Sequence, residues 1–185
     1  MITEAWVWMI LFLPLGSFLI SGLIIRPFFN RYSVLAGYVT MVAIGVAHAL
    51  SIWALRSVVD AHGDLEFATR SWLEVGGLSV TVGILLDPLT AIMLVVVTSV
   101  SLLVQIYSVG YMKGDPGYAR YYAYMSLFTA SMVGLILSAN IIQFYVFWEL
   151  VGASSYLLIG FWYHKPSAAA AAKKAFIVTR IGDFG

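Results

Sequence analysis

Leu89–Tyr111 reads LTAIMLVVVTSVSLLVQIYSVGY, 23 residues without a charge, and it follows directly on Asp87-Pro88. Wound as a helix at ~1.5 Å per residue it reaches about 34 Å, enough to cross a hydrocarbon core about 30 Å thick. Asp87 suits the N-cap and Pro88 the first helical position, where its missing N–H is harmless. Apolar stretches of similar length recur on either side. Helix one is expected over Ala5–Ile25 with a bend at Pro14, because proline removes an internal hydrogen bond. Helix two covers Ser33–Leu55, helix four Arg120–Ala139 and helix five Asn140–Tyr163. A sixth begins at Ser167 and is still running at Gly185, so it looks cut off. The expected fold class is an all-α polytopic membrane bundle of about six transmembrane helices, the last one truncated.

Composition agrees with that reading. The chain is 62% hydrophobic and 10% charged, against about 25% charged for a soluble domain, and its mean hydropathy is +0.94. A water-soluble globule is excluded. Ten Lys+Arg against nine Asp+Glu give a net charge of +1, which lacks the basic footprint of a nucleic-acid binder. Without cysteine there is no disulfide and no thiolate-held iron–sulfur cluster, and three scattered histidines offer little to a metal or haem. No phosphate-binding glycine loop or dinucleotide fingerprint is present. No cofactor is expected in this chain.

Residues 1–55 thus form two N-terminal transmembrane helices, 56–87 an outer loop, and 88–185 the start of a helical core. The N-terminus carries Glu4 but neither a basic run nor a small-residue cleavage site, which reads as a retained span and not as a signal peptide. In the loop, Trp72–Val75 and Leu78–Val82 flank Gly76-Gly77, the pattern of a β-hairpin. Tyr118, Tyr121, Tyr122 and Tyr124 read as an interfacial aromatic belt. Six helices place Arg26, Arg31, Lys113, Arg120 and Lys165 with Asp115 on one side. Arg56 and Arg70 fall on the other with Glu4, Asp60, Asp64, Glu66, Glu74 and Asp87. By the positive-inside rule the first side is cytoplasmic or its organellar equivalent, and the N-terminus lies outside.

Five ionisable residues remain at membrane depth: Glu149, Lys173, Lys174, Arg180 and Asp183. A charge at mid-membrane costs about 2.5–3.5 kcal/mol on insertion scales, so function is the default reading. Glu149 lies ~14 Å below the outer face, counted from Asn140, beyond the reach of its short side chain. It shares a stripe with Tyr145, Val146, Gly152, Ala153 and Tyr156, whose small members suit a close helix contact. Its carboxyl is therefore expected to face the bundle interior. Burial favours the neutral acid and a nearby cation the carboxylate, so a moving cation would switch Glu149 between holding and releasing a proton. A neutral Glu149 hydrogen-bonded to another helix is the structural alternative. Lys173, Phe176, Arg180 and Asp183 follow one stripe of helix six, with Arg180 ~20 Å from Ser167 and hence near the depth of Glu149. Arg180 and Asp183, three residues apart, can pair with each other, either beside a water path or as a purely structural ion pair. Lys174, ~10 Å from the inner face, is expected to snorkel; Lys173 stays open between that and the Arg180 stripe. His48 in helix two reads as a helix–helix hydrogen-bonding group, and Trp148 as belt or packing.

Three stretches carry a resemblance beyond hydropathy: Leu86-Asp87-Pro88-Leu89-Thr90; Tyr111-Met112 with Asp115, Arg120 and Tyr121–Tyr124; and Phe147-Trp148-Glu149-Leu150-Val151-Gly152 running into Ser154–Gly160. Together they resemble the antiporter-like membrane subunits of respiratory complex I, multisubunit sodium/proton antiporters and membrane-bound hydrogenases. Lys174–Gly185, KAFIVTRIGDFG after an alanine run, is similar to the complex I branch that holds subunit L, or mitochondrial subunit 5. The resemblance spans most of residues 80–185; residues 1–79 match mainly in layout.

It implies a proton-translocating membrane-arm subunit of NADH-quinone oxidoreductase in which Glu149, Arg180, Asp183 and Lys173 act in proton translocation. It also implies other complex I membrane subunits and the lipid bilayer as partners, with quinone, NADH, FMN and iron–sulfur clusters in neighbouring chains. Family members continue with further helices, including a lysine partner of the glutamate, so this chain is expected to be an N-terminal fragment that cannot translocate protons alone. The expected location is the bacterial plasma membrane, with the mitochondrial inner membrane as the other possibility. The alternative function is the large subunit of a sodium/proton antiporter or of a membrane-bound hydrogenase; the helix-six ending favours complex I. A structural scaffold is a third reading, under which replacing Glu149 by Gln changes nothing.

Overall fold

The computed structural model describes residues 1–183. Its main helices are α1 (Glu4–Phe28), α2 (Val34–Ala61), α3 (Pro88–Tyr111), α4 (Tyr118–Ile136), α5 (Ile141–Ile159) and α6 (Pro166–Asp183). Among the described residues, four helices, α1, α2, α3 and α5, are long and apolar enough to cross a membrane. The other two are more polar. Helix α4 turns hydroxyls and tyrosines into the bundle, and α6 carries Lys173, Lys174, Arg180 and Asp183. The chain is an integral, multi-pass membrane protein.

Helices α1 to α4 pack against one another, α5 packs on α4, and α6 rests mainly on α5. Two apolar cores result. One, toward the outer end, joins Ile10, Leu50, Leu86, Leu94 and Val133; the other, at the inner end, joins Ile25, Ala36, Met112, Tyr122 and Phe161. Between and around them lie buried hydroxyls, most of which bond back to their own helix. Thr40 donates to the Gly37 carbonyl at 3.0 Å, Ser51 to Ala47 at 2.8 Å, Thr98 to Leu94 at 2.7 Å and Ser131 to Leu127 at 2.7 Å. A few cross between helices, as in Ser17–Ser126 at 3.0 Å and Ser101–Thr129 at 2.5 Å. His48 does so too, its Nδ1 lying 3.1 Å from Thr98 Oγ1 across α2 and α3.

The structure departs from the sequence reading in several places, and helix α5 ends at Ile159 where the reading carries it to Tyr163. Helical bonding runs through Pro14 and changes instead at Ile20–Ile25, a π-helical segment. Near Pro14 the Ser17 hydroxyl donates to the Pro14 carbonyl at 2.8 Å, a side chain bonding back to its own helix. Helix α2 continues past Leu55 to Ala61, because Ser57 and Val58 are buried and Ser57 Oγ accepts the Ile2 N–H at 3.0 Å. Arg56 to Ala61 therefore belong to the helix, and the loop starts at His62, which closes the helix with φ 55°. Finally, Tyr118 and Tyr122 are buried in the inner core instead of lying in an interfacial belt; the Tyr122 hydroxyl donates to the Gln105 carbonyl at 2.8 Å. That partner makes a buried phenol tolerable.

The N-terminus of α3 is as expected, with the Asp87 carboxylate accepting the Thr90 N–H at 2.6 Å. So is the hairpin. Strands Arg70–Val75 and Leu78–Val82 pair antiparallel around Gly76 (φ 55°) and Gly77 (φ 89°), the two left-handed positions that a twist-matched two-residue turn requires. A shorter pair, Leu65–Glu66 with Leu85–Leu86, closes the base of the loop. The loop is pinned to α5. The Gln143 side-chain amide bonds both polar groups of Gly83, accepting from its N–H and donating to its carbonyl, each at 3.1 Å. Asn140 Nδ2 donates to the Thr81 carbonyl at 2.6 Å. Gln143→Leu is expected to lose both bonds to Gly83 and cost about 1–3 kcal/mol, read as a lower unfolding temperature and faster proteolysis between 66 and 82.

Candidate functional site

Helix α5 carries two stripes on nearly opposite sides. Gln143, Phe147 and Ser154 share one, and Phe147 lies so close to Gly134 of α4 that a β-carbon there would overlap its ring. The other stripe holds Glu149, Gly152 and Tyr156, and it faces α6. Glu149 consequently does not point into the bundle as the sequence suggested. It lies in the groove between α5 and α6, with 22% of its side chain exposed in this chain. The reason is local: close packing of Phe147 on Gly134 fixes the rotation of α5, and Glu149, two residues on, is turned aside.

Across the groove, Arg180 forms an ion pair with Glu149 through Nη1 and Oε2. Its Nη2 donates to the Glu149 main-chain carbonyl at 3.2 Å, and its guanidinium stands over the Phe176 ring at 4.7 Å. Phe176 in turn packs on Tyr156 at 5.4 Å between centroids. The cation is thus held by a carboxylate, a carbonyl and an aromatic face at once. Gly152 leaves room beneath it, since a β-carbon there would lie 4.0 Å from the guanidinium.

Arg180 and Asp183 do not pair. Asp183 Oδ1 instead accepts the Trp148 indole N–H at 2.6 Å. Trp148 neighbours Glu149, so successive residues of α5 grip Arg180 and Asp183, which are one turn apart on α6. The sequence reading placed Trp148 among packing residues and missed this contact. A signal existed, because an indole N–H at membrane depth needs an acceptor. Lys173 is exposed at the inner end of the same groove, near Tyr156 and Phe176, and Lys174 is exposed as well. Among the described residues no group of three His, Asp or Glu stands close enough to hold a metal ion.

The groove thus brings together a carboxylate, a guanidinium and a second, indole–carboxylate contact across α5 and α6. Comparison with known proteins finds clear relatives. Residues 72–122 match the family model described as NADH-ubiquinone oxidoreductase (complex I), chain 5 N-terminus. Residues 138–185 match the NADH:quinone oxidoreductase/Mrp antiporter transmembrane model. The chain is 49% identical over 181 residues to the chloroplastic NAD(P)H-quinone oxidoreductase subunit 5 of Chlorokybus atmophyticus, covering 96% of this chain and 28% of that one. It is 47% identical over 181 residues to NAD(P)H-quinone oxidoreductase chain 5 of a Picosynechococcus species, covering 96% and 27%. The chain therefore spans between a quarter and a third of the length of these curated relatives. Among solved structures, a chain of the Mrp complex from Dietzia sp. superposes with a TM-score of 0.74 at 26% identity, over 96% of this chain and 18% of that one. A chain of the archaeal membrane-bound sulfane sulfur reductase shares the fold, with a TM-score of 0.72 at 19% identity, over 98% and 35%.

Proposed function

The chain belongs to the antiporter-like membrane subunits typified by complex I chain 5 and the Mrp antiporters, and on that premise we propose that it is part of a proton-translocating subunit of a membrane-bound NAD(P)H-quinone oxidoreductase. Other membrane subunits of that complex are its partners. The redox chemistry, with NAD(P)H, FMN, iron–sulfur clusters and quinone, belongs to neighbouring chains, and this one contributes the proton site.

The observation that carries the proposal is the Glu149–Arg180 ion pair across α5 and α6, reinforced by Trp148 and Asp183. An ion pair at membrane depth costs desolvation and is retained where its charges are used. Proton transfer at the Glu149 carboxyl is coupled in this reading to movement of α6, which brings Arg180 onto it or draws it away. Lys173, at the inner end of the groove, is the next cation along the stripe and a relay toward the inner face.

The second reading is the large subunit of a sodium/proton antiporter, favoured by the likeness to the Mrp complex. The two differ in their energy source. In inverted vesicles containing the complete protein within its native complex, NAD(P)H and a quinone are expected to drive proton uptake that disappears when this subunit is deleted. Proton exchange driven by a sodium gradient without NAD(P)H, with no redox-driven uptake, would assign the chain to the antiporter.

A further inference from the structure

We propose that the inner end of the molecule binds a phosphoryl anion, supplied in the membrane by the headgroup of an acidic phospholipid. The proposal does not depend on the pumping reading, although its second cavity shares Tyr156 and Lys173 with the inner end of the α5–α6 groove. Two adjoining cavities open there, of about 460 and about 400 Å³, and Arg26, Arg120 and Tyr163 line both. Asp115 lies on the first and Lys173 on the second, so three cations stand against one carboxylate.

That carboxylate is already engaged. Asp115 Oδ1 accepts the Gly117 N–H at 2.7 Å and Oδ2 the Trp162 indole N–H at 3.1 Å, and among the described residues no ion pair joins it to Arg120. Arg120 is fixed in place: Nη2 donates to the Phe161 carbonyl at 3.0 Å, and the guanidinium stands 4.7 Å from the Phe161 centroid and 5.2 Å from that of Tyr163. Its Nε is buried and has no hydrogen-bond partner among the described residues. The guanidinium is held rigidly where it lines both cavities, and its planar fork suits an oxyanion acceptor. Arg26 is exposed and follows directly on the π-helical segment Ile20–Ile25, a feature found often at functional sites.

Location selects the source of the anion. The cavities lie at the cation-rich inner ends of α1, α4 and α5, beside Trp162 and Tyr163, residues typical of the headgroup level. Basic pockets between helices on this side are where anionic headgroups bind. The second cavity extends along Tyr156 and Leu157 of α5, an apolar wall suited to the start of an acyl chain.

The test uses the complete protein in its native complex, in vesicles doped with a photoactivatable phosphatidylglycerol or phosphatidylcholine probe, with labelled peptides mapped afterwards. The peptide containing 161–165 is expected to be labelled by the phosphatidylglycerol probe well above the phosphatidylcholine probe. Unlabelled phosphatidylglycerol should compete and millimolar inorganic phosphate should not. Arg26→Gln, at an exposed position, should lower labelling about fivefold, equivalent to roughly 1 kcal/mol for one basic residue near an anionic surface. Arg120→Lys, which keeps the charge but loses the fork, should lower it as well. Competition by inorganic phosphate would overturn the lipid as source. Equal labelling by the two probes, or labelling unchanged in Arg26→Gln, would overturn the site.

Discussion

Glu149→Gln in the complete protein is expected to reduce proton pumping roughly a hundredfold, the lower end of what a positioned proton-transfer group contributes, while the complex still assembles. The substitution keeps the size and hydrogen-bonding shape of the side chain and removes only its capacity to carry a proton. Arg180 then loses its carboxylate, yet the Glu149 main-chain carbonyl at 3.2 Å and the Phe176 ring at 4.7 Å remain as partners. Folding should therefore survive. Redox-driven acidification of vesicles, followed alongside NAD(P)H oxidation, measures the effect; pumping at the normal rate would dismiss the glutamate as the proton site.

Arg180→Ala should be the more damaging substitution structurally. Breaking a fully buried pair costs about 3–5 kcal/mol. The pair lies at membrane depth, where a side chain turned out of the chain meets no bulk water, so a cost of that order is expected. The loss also takes away the cation that the proposed cycle moves on and off Glu149. Pumping should fall with it. Lys174→Ala, on the exposed side of α6, should leave both unchanged, and Arg180→Lys should restore stability more fully than pumping, since a point charge cannot hold carboxylate and carbonyl together. Subunit abundance in the membrane, the unfolding temperature and the pumping rate give the three readouts. Equal and negligible effects of Arg180→Ala and Lys174→Ala would show that the cross-helix contact is incidental.

What could be read from residues alone follows a physical divide. Spans such as Leu89–Tyr111 are legible because lipid forces the backbone to satisfy itself, leaving length and apolarity as sufficient signals. The Asp87-Pro88 start and the Gly76-Gly77 turn are legible because each depends on a local backbone requirement. The depth of Glu149 and Arg180 follows from counting residues, and it places them at a common level. Their pairing does not follow. Each stripe of α5 mixes a polar, a small and an aromatic residue, Gln143, Ser154 and Phe147 on one and Glu149, Gly152 and Tyr156 on the other, so nothing local chooses which one meets α4; the choice lies in Gly134, a residue in another helix. Arg180 was accordingly matched to Asp183, its neighbour in sequence, when its partner stands across the groove. The burial of Tyr118 and Tyr122 is hidden for the same reason, since a tyrosine near a helix end suits both lipid and a core with an acceptor in reach.

The buried hydroxyls of Thr40, Ser51, Thr98 and Ser131 each return to a carbonyl three or four residues back on their own helix. At these positions the hydroxyls enter the bilayer already satisfied within their own helix. Insertion during synthesis can therefore proceed one span at a time, and lateral assembly becomes a separate, later event governed by shape, in which the few hydroxyls that do reach across set the final alignment.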